Sequence, residues 1–295
     1  MELYPMKLLP YISATVWGGD RLVSQYHIDA QGRPNCAEAW MLSAHPGGDS
    51  VVANGPYAGQ PLRALYPHLP VLVKFIDARG DLSVQVHPRD GDAVLQPGQA
   101  GKTECWYILD AEPGAKLYLG FFENVSRETF LLAIQQNTLM ELVQPFEVHP
   151  GDFFYIPAGT LHAIGKGVLL AEVQQSSDTT YRVYDYGRLQ NGVPRALHIA
   201  QALAVTNRVP YRQQQRLPFC CPHFSVACKN APGTDCASEE SFVSLLVLEG
   251  EGILRWPCSV GTSQMPLRKG ESVFIPQGFG PFAYDGDLRL LRTQL

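Results

Sequence analysis

Two histidines, a glutamine and a glutamate carry most of the chemistry that this sequence offers. Gln85 and His87 sit two residues apart in LSVQVHP, residues 82–88. In an extended chain, successive side chains point to opposite faces. Ser83, Gln85 and His87 therefore share one face, and Leu82, Val84 and Val86 share the other. Glu104 follows in GKTECWYI, on the same face as Lys102, and His162 stands just after the turn IPAGTLH. Each residue alone has an ordinary explanation: a solvated edge strand, a surface charge, a hydrogen-bonded structural histidine. Taken together, two imidazoles, one carboxylate and one amide oxygen compose a divalent-metal site. Such a donor set suits zinc, and also iron, manganese or nickel. Four protein ligands leave room for water or substrate oxygens on a metal that reaches five or six.

The elements that must position these residues are short strands. PVLVKFID (70–77), CWYILD (105–110), KLYLGF (116–121), DFFYIP (152–157) and VLLAEVQ (168–174) are apolar runs bounded by glycine, proline and polar turns. Runs of this length, rich in β-branched and aromatic residues, predict a mainly β protein of sandwich or barrel type. One helical insertion interrupts them, SRETFLLAIQQNTLMELV at about 126–143. Ser126 suits its N-cap and Glu128 its first turn. Thr138 with Glu141 matches a second capping box, so the insertion reads as two short helices broken near Asn137. A further helix is expected over Ala196–Val205.

An internal repeat organises the rest. HPGDFFYIPAGTLHAI (149–164) lies against RKGESVFIPQGFGPFAY (268–284), and both contain Gly-acid-three residues-Ile-Pro-x-Gly. Upstream, YILDAEPG (107–114) parallels LVLEGEG (246–252). A β-barrel module thus occurs twice, with one domain expected over 1–205 and a second over 206–295. The alignment sets His162 against Pro281 and Glu104 against Val243. The second copy lacks the polar side chains of the first.

Bulk composition narrows the function classes. With 45% hydrophobic and 17% charged residues, the chain can bury a sizeable core. Its net charge of −5 provides no basic footprint for nucleic acid or an acidic membrane. No segment approaches ~18 uninterrupted apolar residues, so no membrane span is expected. MELYPMKLLPYISATVWGGD lacks the basic and apolar regions of a secretory signal. The seven cysteines are an odd number without a C-x-x-C pair, which predicts reduced thiols and a cytoplasmic location.

LSVQVHP, GKTECWYIL, PGDFFYIPAGTLHAI and EVQQSSDTTYRVYDYGR together closely resemble the type I mannose-6-phosphate isomerases, in their short bacterial form built from two cupin (jelly-roll) barrels. The resemblance covers most of residues 10–205, and the C-terminal part more loosely. It implies that Gln85, His87, Glu104 and His162 bind one Zn2+ per chain, or another divalent metal. It also implies a catalytic role for Arg182, in the T-x-Y-R segment. The implied reaction interconverts mannose 6-phosphate and fructose 6-phosphate by moving a proton from C2 to C1 through a cis-enediol.

That reaction needs a base and a stabiliser for the developing oxyanion. Glu172 is the carboxylate expected to serve as base, its alternative role being an ion pair with Arg182. A metal-bound water is another candidate base. Arg182 keeps its charge at any working pH and suits either the enediolate or the phosphate. No Walker-type loop is present, so Ser83 and Lys102 are the expected substrate contacts, with Asp185, Arg188, Tyr184 and Tyr186 at the rim. Two rival readings are an iron-dependent cupin oxygenase and a non-catalytic sugar-binding cupin. The expected partner is a sugar phosphate. The oligomeric state is not readable from the sequence.

Overall fold

In the computed structural model, which describes residues 2–190, 192–258 and 261–295, three antiparallel sheets dominate. The six-stranded sheet runs in the order Phe153–Ile156, Glu104–Ala111, Val168–Gln175, Val71–Ala78, Glu38–Leu42 and Tyr11–Ser13. The five-stranded sheet runs Val143–Glu147, Lys116–Phe121, His162–Ile164, Val84–Val86 and Tyr181–Tyr184. These two sheets face each other. Ile76, Trp106, Ile108 and Leu170 from the first meet Leu117, Leu119 and Ile164 from the second in one apolar cluster. The chain is mainly β, as expected. The described ladders, however, form open sheets packed face to face, and no closed barrel results.

Burial on both faces explains why PVLVKFID is apolar except at Lys74 and Asp77. The six-stranded sheet is covered on both sides. Its second face carries Val71, Val73, Phe75, Cys105 and Val173, which pack on Phe224, Leu246, Phe274 and Leu291 of the C-terminal part. Only a sheet buried on both faces has no use for an alternating polar residue. The outer face of the five-stranded sheet is covered by helices. Val84, Val86, Ala163 and Val183 pack with Phe130 and Ala133 from helix Arg127–Gln135 and with Ala202 and Leu203 from helix Ile199–Val205.

The helical insertion shows which capping signals operate. Ser126 caps the first helix, its hydroxyl accepting the Thr129 amide at 3.0 Å. The helix stops before Asn137, whose φ of +57° lies in the left-handed region that asparagine tolerates. Thr138 then makes no side-chain cap, and a single 3-10 turn follows over Leu139–Glu141. The capping box is therefore present in sequence but not formed. The last helix begins at Ile199 rather than Ala196, because residues 196–198 are bonded to the strand carrying Arg182.

The third sheet has nine strands and is built chiefly from the C-terminal part, with Met6–Leu9 and Val51–Val52 joining it. Met6–Leu8 pair with Ser272–Phe274. The sheet curls round an apolar cluster that includes Val243, Leu245, Val247, Ile275, Phe282 and Leu290. The sequence repeat returns here as sheet register. Ile156 lies opposite Glu104, and the matching Ile275 lies opposite Val243. Where the first copy places a carboxylate, the second places a buried valine in a fully apolar interior.

Candidate active site

Sheet pairing brings the polar residues together. Gln85 lies on Val84–Val86 directly opposite His162 on the neighbouring strand. His87 follows immediately after Val86. Glu104, the first residue of its strand, faces them from the opposing sheet. His87, Glu104 and His162 are all buried, and their donor atoms lie within 4.8 Å of one another. Each imidazole Nε2 is 3.5 Å from a Glu104 oxygen. Leu82 departs from the alternation expected for this segment. It precedes the strand and packs between the two sheets, whereas Val84 and Val86 pack under the helices. The polar residues do not face solvent: Ser83 and His87 are buried too.

The backbone sets the imidazole tautomers. His87 Nδ1 is 2.9 Å from the Thr179 carbonyl, and His162 Nδ1 is 2.9 Å from the Thr160 carbonyl. A carbonyl only accepts, so both Nδ1 atoms carry the proton and both Nε2 lone pairs point inward. This is the usual outer support of a metal-binding histidine. Burial, aided by Lys102 and His162, holds His87 well below the usual histidine range, and burial lowers His162 to about 4. Both rings are neutral at pH 7. Glu104 Oε1 is buried with no hydrogen-bond partner. Two inward lone pairs and an unpartnered carboxylate oxygen fit a divalent cation. Gln85 turns its amide nitrogen toward His162 at 3.4 Å, while its oxygen accepts from Ser83 at 3.1 Å. Rotating the amide by half a turn, a change that exchanges two atoms of nearly equal size, would bring its oxygen to the cluster.

Lysines and carboxylates alternate beside this cluster. Lys102 donates to Glu104, lies 3.2 Å from His87 Nε2 and 3.8 Å from Glu172. Glu172 accepts from the Trp106 indole at 2.9 Å and lies 3.4 Å from Lys74. Lys74 in turn is 3.2 Å from Glu38 and sits over the Trp40 ring. The two carboxylates respond in opposite directions. Burial pushes Glu104 up to about 8 against the pull of Lys102. Burial also raises Glu172, but Lys102 and Lys74 outweigh it and bring the group down to about 2. Glu172 thus pairs with two lysines, and Arg182 is not its partner.

These groups open onto a cavity of about 230 Å3 whose walls include Gln85, Lys102, Glu172 and Arg182. Arg182 donates from Nε to Ser83 Oγ at 3.2 Å and from Nη1 to the Ala196 carbonyl at 3.0 Å. Of the eight residues singled out in the sequence, Ser83, Gln85, Lys102, Glu172 and Arg182 line this cavity, and His87, Glu104 and His162 form the buried cluster beside it. Of the expected rim residues, Asp185 binds Arg188, which stacks on Tyr186. Sequence reasoning missed Lys74, Glu38 and Arg195, which also line the cavity. A signal for Lys74 existed, since it is the one charge inside the run PVLVKF. Nothing local marked Arg195.

Known proteins resemble this chain along its whole length. Residues 6–104 match the family model for the phosphomannose isomerase type I catalytic domain, and residues 214–295 match that for the mannose-6-phosphate isomerase cupin domain. The mannose-6-phosphate isomerase of Streptococcus mutans is 38% identical, covering 98% of each chain. The crystal structure of the mannose 6-phosphate isomerase from Bacillus subtilis superposes with a TM-score of 0.88 at 34% identity, covering 98% of this chain and 99% of that one. A mannose 6-phosphate isomerase solved with zinc and yttrium shares the fold, with a TM-score of 0.71 at 19% identity over 98% of both chains.

Proposed function

The chain belongs to the type I phosphomannose isomerase family, and from that premise we propose how its cavity interconverts mannose 6-phosphate and fructose 6-phosphate. The aldose–ketose isomerisation itself follows from the full-length relatives, and they do not favour an oxygenase. The assignment of residues to roles is our reading.

Gln85, His87, Glu104 and His162 would hold one divalent ion, and zinc is the ion we assign. When bound, such an ion would supply Lewis acidity to the sugar oxygens on C1 and C2, the two carbons between which the proton moves. Everything else falls to side chains. Glu172 is ionised, buried and turned to the cavity by the Trp106 indole, so it is placed to accept the proton from C2 and return it at C1. A carboxylate held at about 2 by two ammonium groups is a weak base. Substrate oxygens that engage Lys102 would remove one of those partners and raise the proton affinity of Glu172. Lys102 would then donate to the oxygen on which negative charge develops. Arg182 adds a fixed positive charge on the cavity wall. Ser83 orients both Arg182 and Gln85, accepting from the Arg182 Nε and bonded to the Gln85 amide.

The observation that carries this reading is the buried His87–Glu104–His162 cluster, which touches Gln85 and Lys102 on the wall of the cavity that Glu172 and Arg182 also line. Residues 1–205 are then the catalytic part, and residues 206–295 are a cupin module whose ligand positions became Val243 and Pro281. We read each part as a barrel in the cupin sense. Cys36, Cys105, Cys220, Cys221, Cys228 and Cys236 carry free thiols, which fits a cytoplasmic enzyme. No helix among the described residues is long and apolar enough to cross a membrane. The test is a coupled assay for fructose 6-phosphate on the purified chain, before and after chelation and after zinc is restored. Activity that survives complete metal removal would refute the metal assignment.

A further inference from the structure

The charges around the cavity divide into two groups. At the inner end, Lys74 and Lys102 are matched by Glu38, Glu104 and Glu172. Toward the mouth the balance reverses. Arg182 bonds only to neutral oxygens, those of Ser83 and Ala196, and no carboxylate pairs with it among the described residues. Arg195 lines the same cavity with a side chain only 14% exposed. It binds Asp185 through Nε at 2.7 Å and through Nη2. Asp185, itself buried, also binds Arg188, so one carboxylate serves two guanidinium groups. Arg195, Arg188 and Asp185 therefore keep one net positive charge. Arg182 adds a second. The remaining carboxylate on this wall, Asp178, is 61% exposed and lies 3.8 Å from His45.

Short-range bonds fix the two arginines relative to each other. The Arg182 amide donates to His198 Nδ1 at 3.2 Å, and the His198 amide donates to the Arg182 carbonyl at 2.7 Å. With the bond from Arg182 to Ala196, three contacts bind residues 196–198 to the Arg182 strand. Arg195 immediately precedes them in the chain, after the hairpin Leu189–Gln190/Val193–Pro194. The proximity is felt electrostatically, because burial and then the repulsion of Arg195 lower the pKa of Arg182. Two adjacent guanidinium groups with two unneutralised charges match a phosphate monoester, which carries about −2 near neutral pH. The fork of a guanidinium also suits phosphate oxygens. Thr15, on the same cavity wall, has a buried hydroxyl with no partner.

We propose that Arg195 is a substrate-binding residue that, beside Arg182, receives the 6-phosphate, and that Asp185 is the positioning residue that aims it. This rests on the isomerase reading above. It places recognition of the phosphate on the cavity wall that Arg182 and Arg195 share. Arg195→Met should raise the KM for mannose 6-phosphate by about 10–100-fold, the usual worth of a charge-assisted contact. Its kcat should change far less. Inorganic phosphate, used as a competitive inhibitor, should lose affinity by a similar factor. Arg195→Lys should fall between, keeping charge without the fork. Asp185→Asn should raise the KM while leaving metal content as in the parent chain.

Steady-state constants, phosphate inhibition and zinc content for the three variants decide the matter. An unchanged KM and phosphate inhibition constant in Arg195→Met would overturn the proposal. So would a fall in kcat at constant KM. Were the methionine variant not to fold, Arg195→Lys carries the same two criteria. A parent chain without isomerase activity would instead refute the functional reading, so the two failures are distinct.

Discussion

Replacing Glu172 with glutamine isolates the proton-transfer role from packing. The amide has the volume of the carboxylate, and its oxygen can still accept the Trp106 indole N–H now bonded at 2.9 Å. What disappears is the negative charge, with ion pairs to Lys74 at 3.4 Å and Lys102 at 3.8 Å. Neither lysine is stranded, since Lys74 keeps Glu38 and Lys102 keeps Glu104. The stability cost should therefore stay near the cost of an imperfectly satisfied buried charge, about 1–3 kcal/mol. That corresponds to a Tm lower by several degrees in a chain of this size. The rate effect should be much larger. Loss of a positioned general base typically costs about 10²–10⁴ in rate, or about 3–5 kcal/mol of activation free energy. Measured together, kcat, KM, Tm and zinc content should show a folded, metallated protein with a collapsed kcat and a KM within a few-fold of the parent. A Glu172→Gln protein that retains kcat would refute the base assignment and leave Glu172 as a counter-charge for the two lysines. A collapse of zinc content alongside kcat would refute the separation between base and metal cluster.

His162→Ala should lower metal content and activity together, by at least the ~10–100-fold seen for weaker perturbations of metal surroundings; full activity without bound metal would remove the residue from the site, and the parent chain should bind one catalytic ion, since the second module offers Val243 and Pro281. Arg182→Ala should keep zinc and fold while kcat falls about 10²–10³-fold; a raised KM at nearly constant kcat would move the residue wholly to phosphate binding. Metal uptake should release a proton. In the metal-free protein Glu104 lies at about 8, so at pH 7 it is protonated, while His87 and His162 are already neutral. Calorimetric titration in two buffers of different ionisation heat should find about one proton released at pH 7, with affinity rising as pH approaches 8. Proton-neutral binding at pH 7 would contradict the ionisation of this pocket.

What was legible in the sequence is what strand alternation and tight turns encode locally. Gln85 and His87 sit two apart and act on one side, and the Ile-Pro-x-Gly turn delivers His162 opposite Gln85. The repeat even predicted the register that sets Val243 where Glu104 stands. The misses have a common physical cause. Lys74 meets Glu172 because two strands almost a hundred residues apart pair side by side, and local spacing contains no information about that pairing. Arg195 reaches the cavity through a hairpin bonded to the Arg182 strand, a tertiary choice again. The failed capping box at Thr138 shows the converse, since the local signal was present and the chain had already turned at Asn137. Leu82 was assigned to the wrong face because the strand begins two residues later than the apolar run.

The pairing of Met6–Leu8 with Ser272–Phe274 has a consequence for how the chain is made. The ribosome delivers the first strand of this pair some 260 residues before the second. Until then, the backbone groups of that early strand that face the missing neighbour have no native partner, and an unpaired strand edge invites association with other chains. Contacts of such long sequence separation also form slowly. Expression should thus be sensitive to conditions that lengthen the wait, such as slow translation. The exposed intermediate is the place where a chaperone would act. In this enzyme the C-terminal cupin module completes an edge that the N-terminal strand leaves open from the moment its synthesis begins.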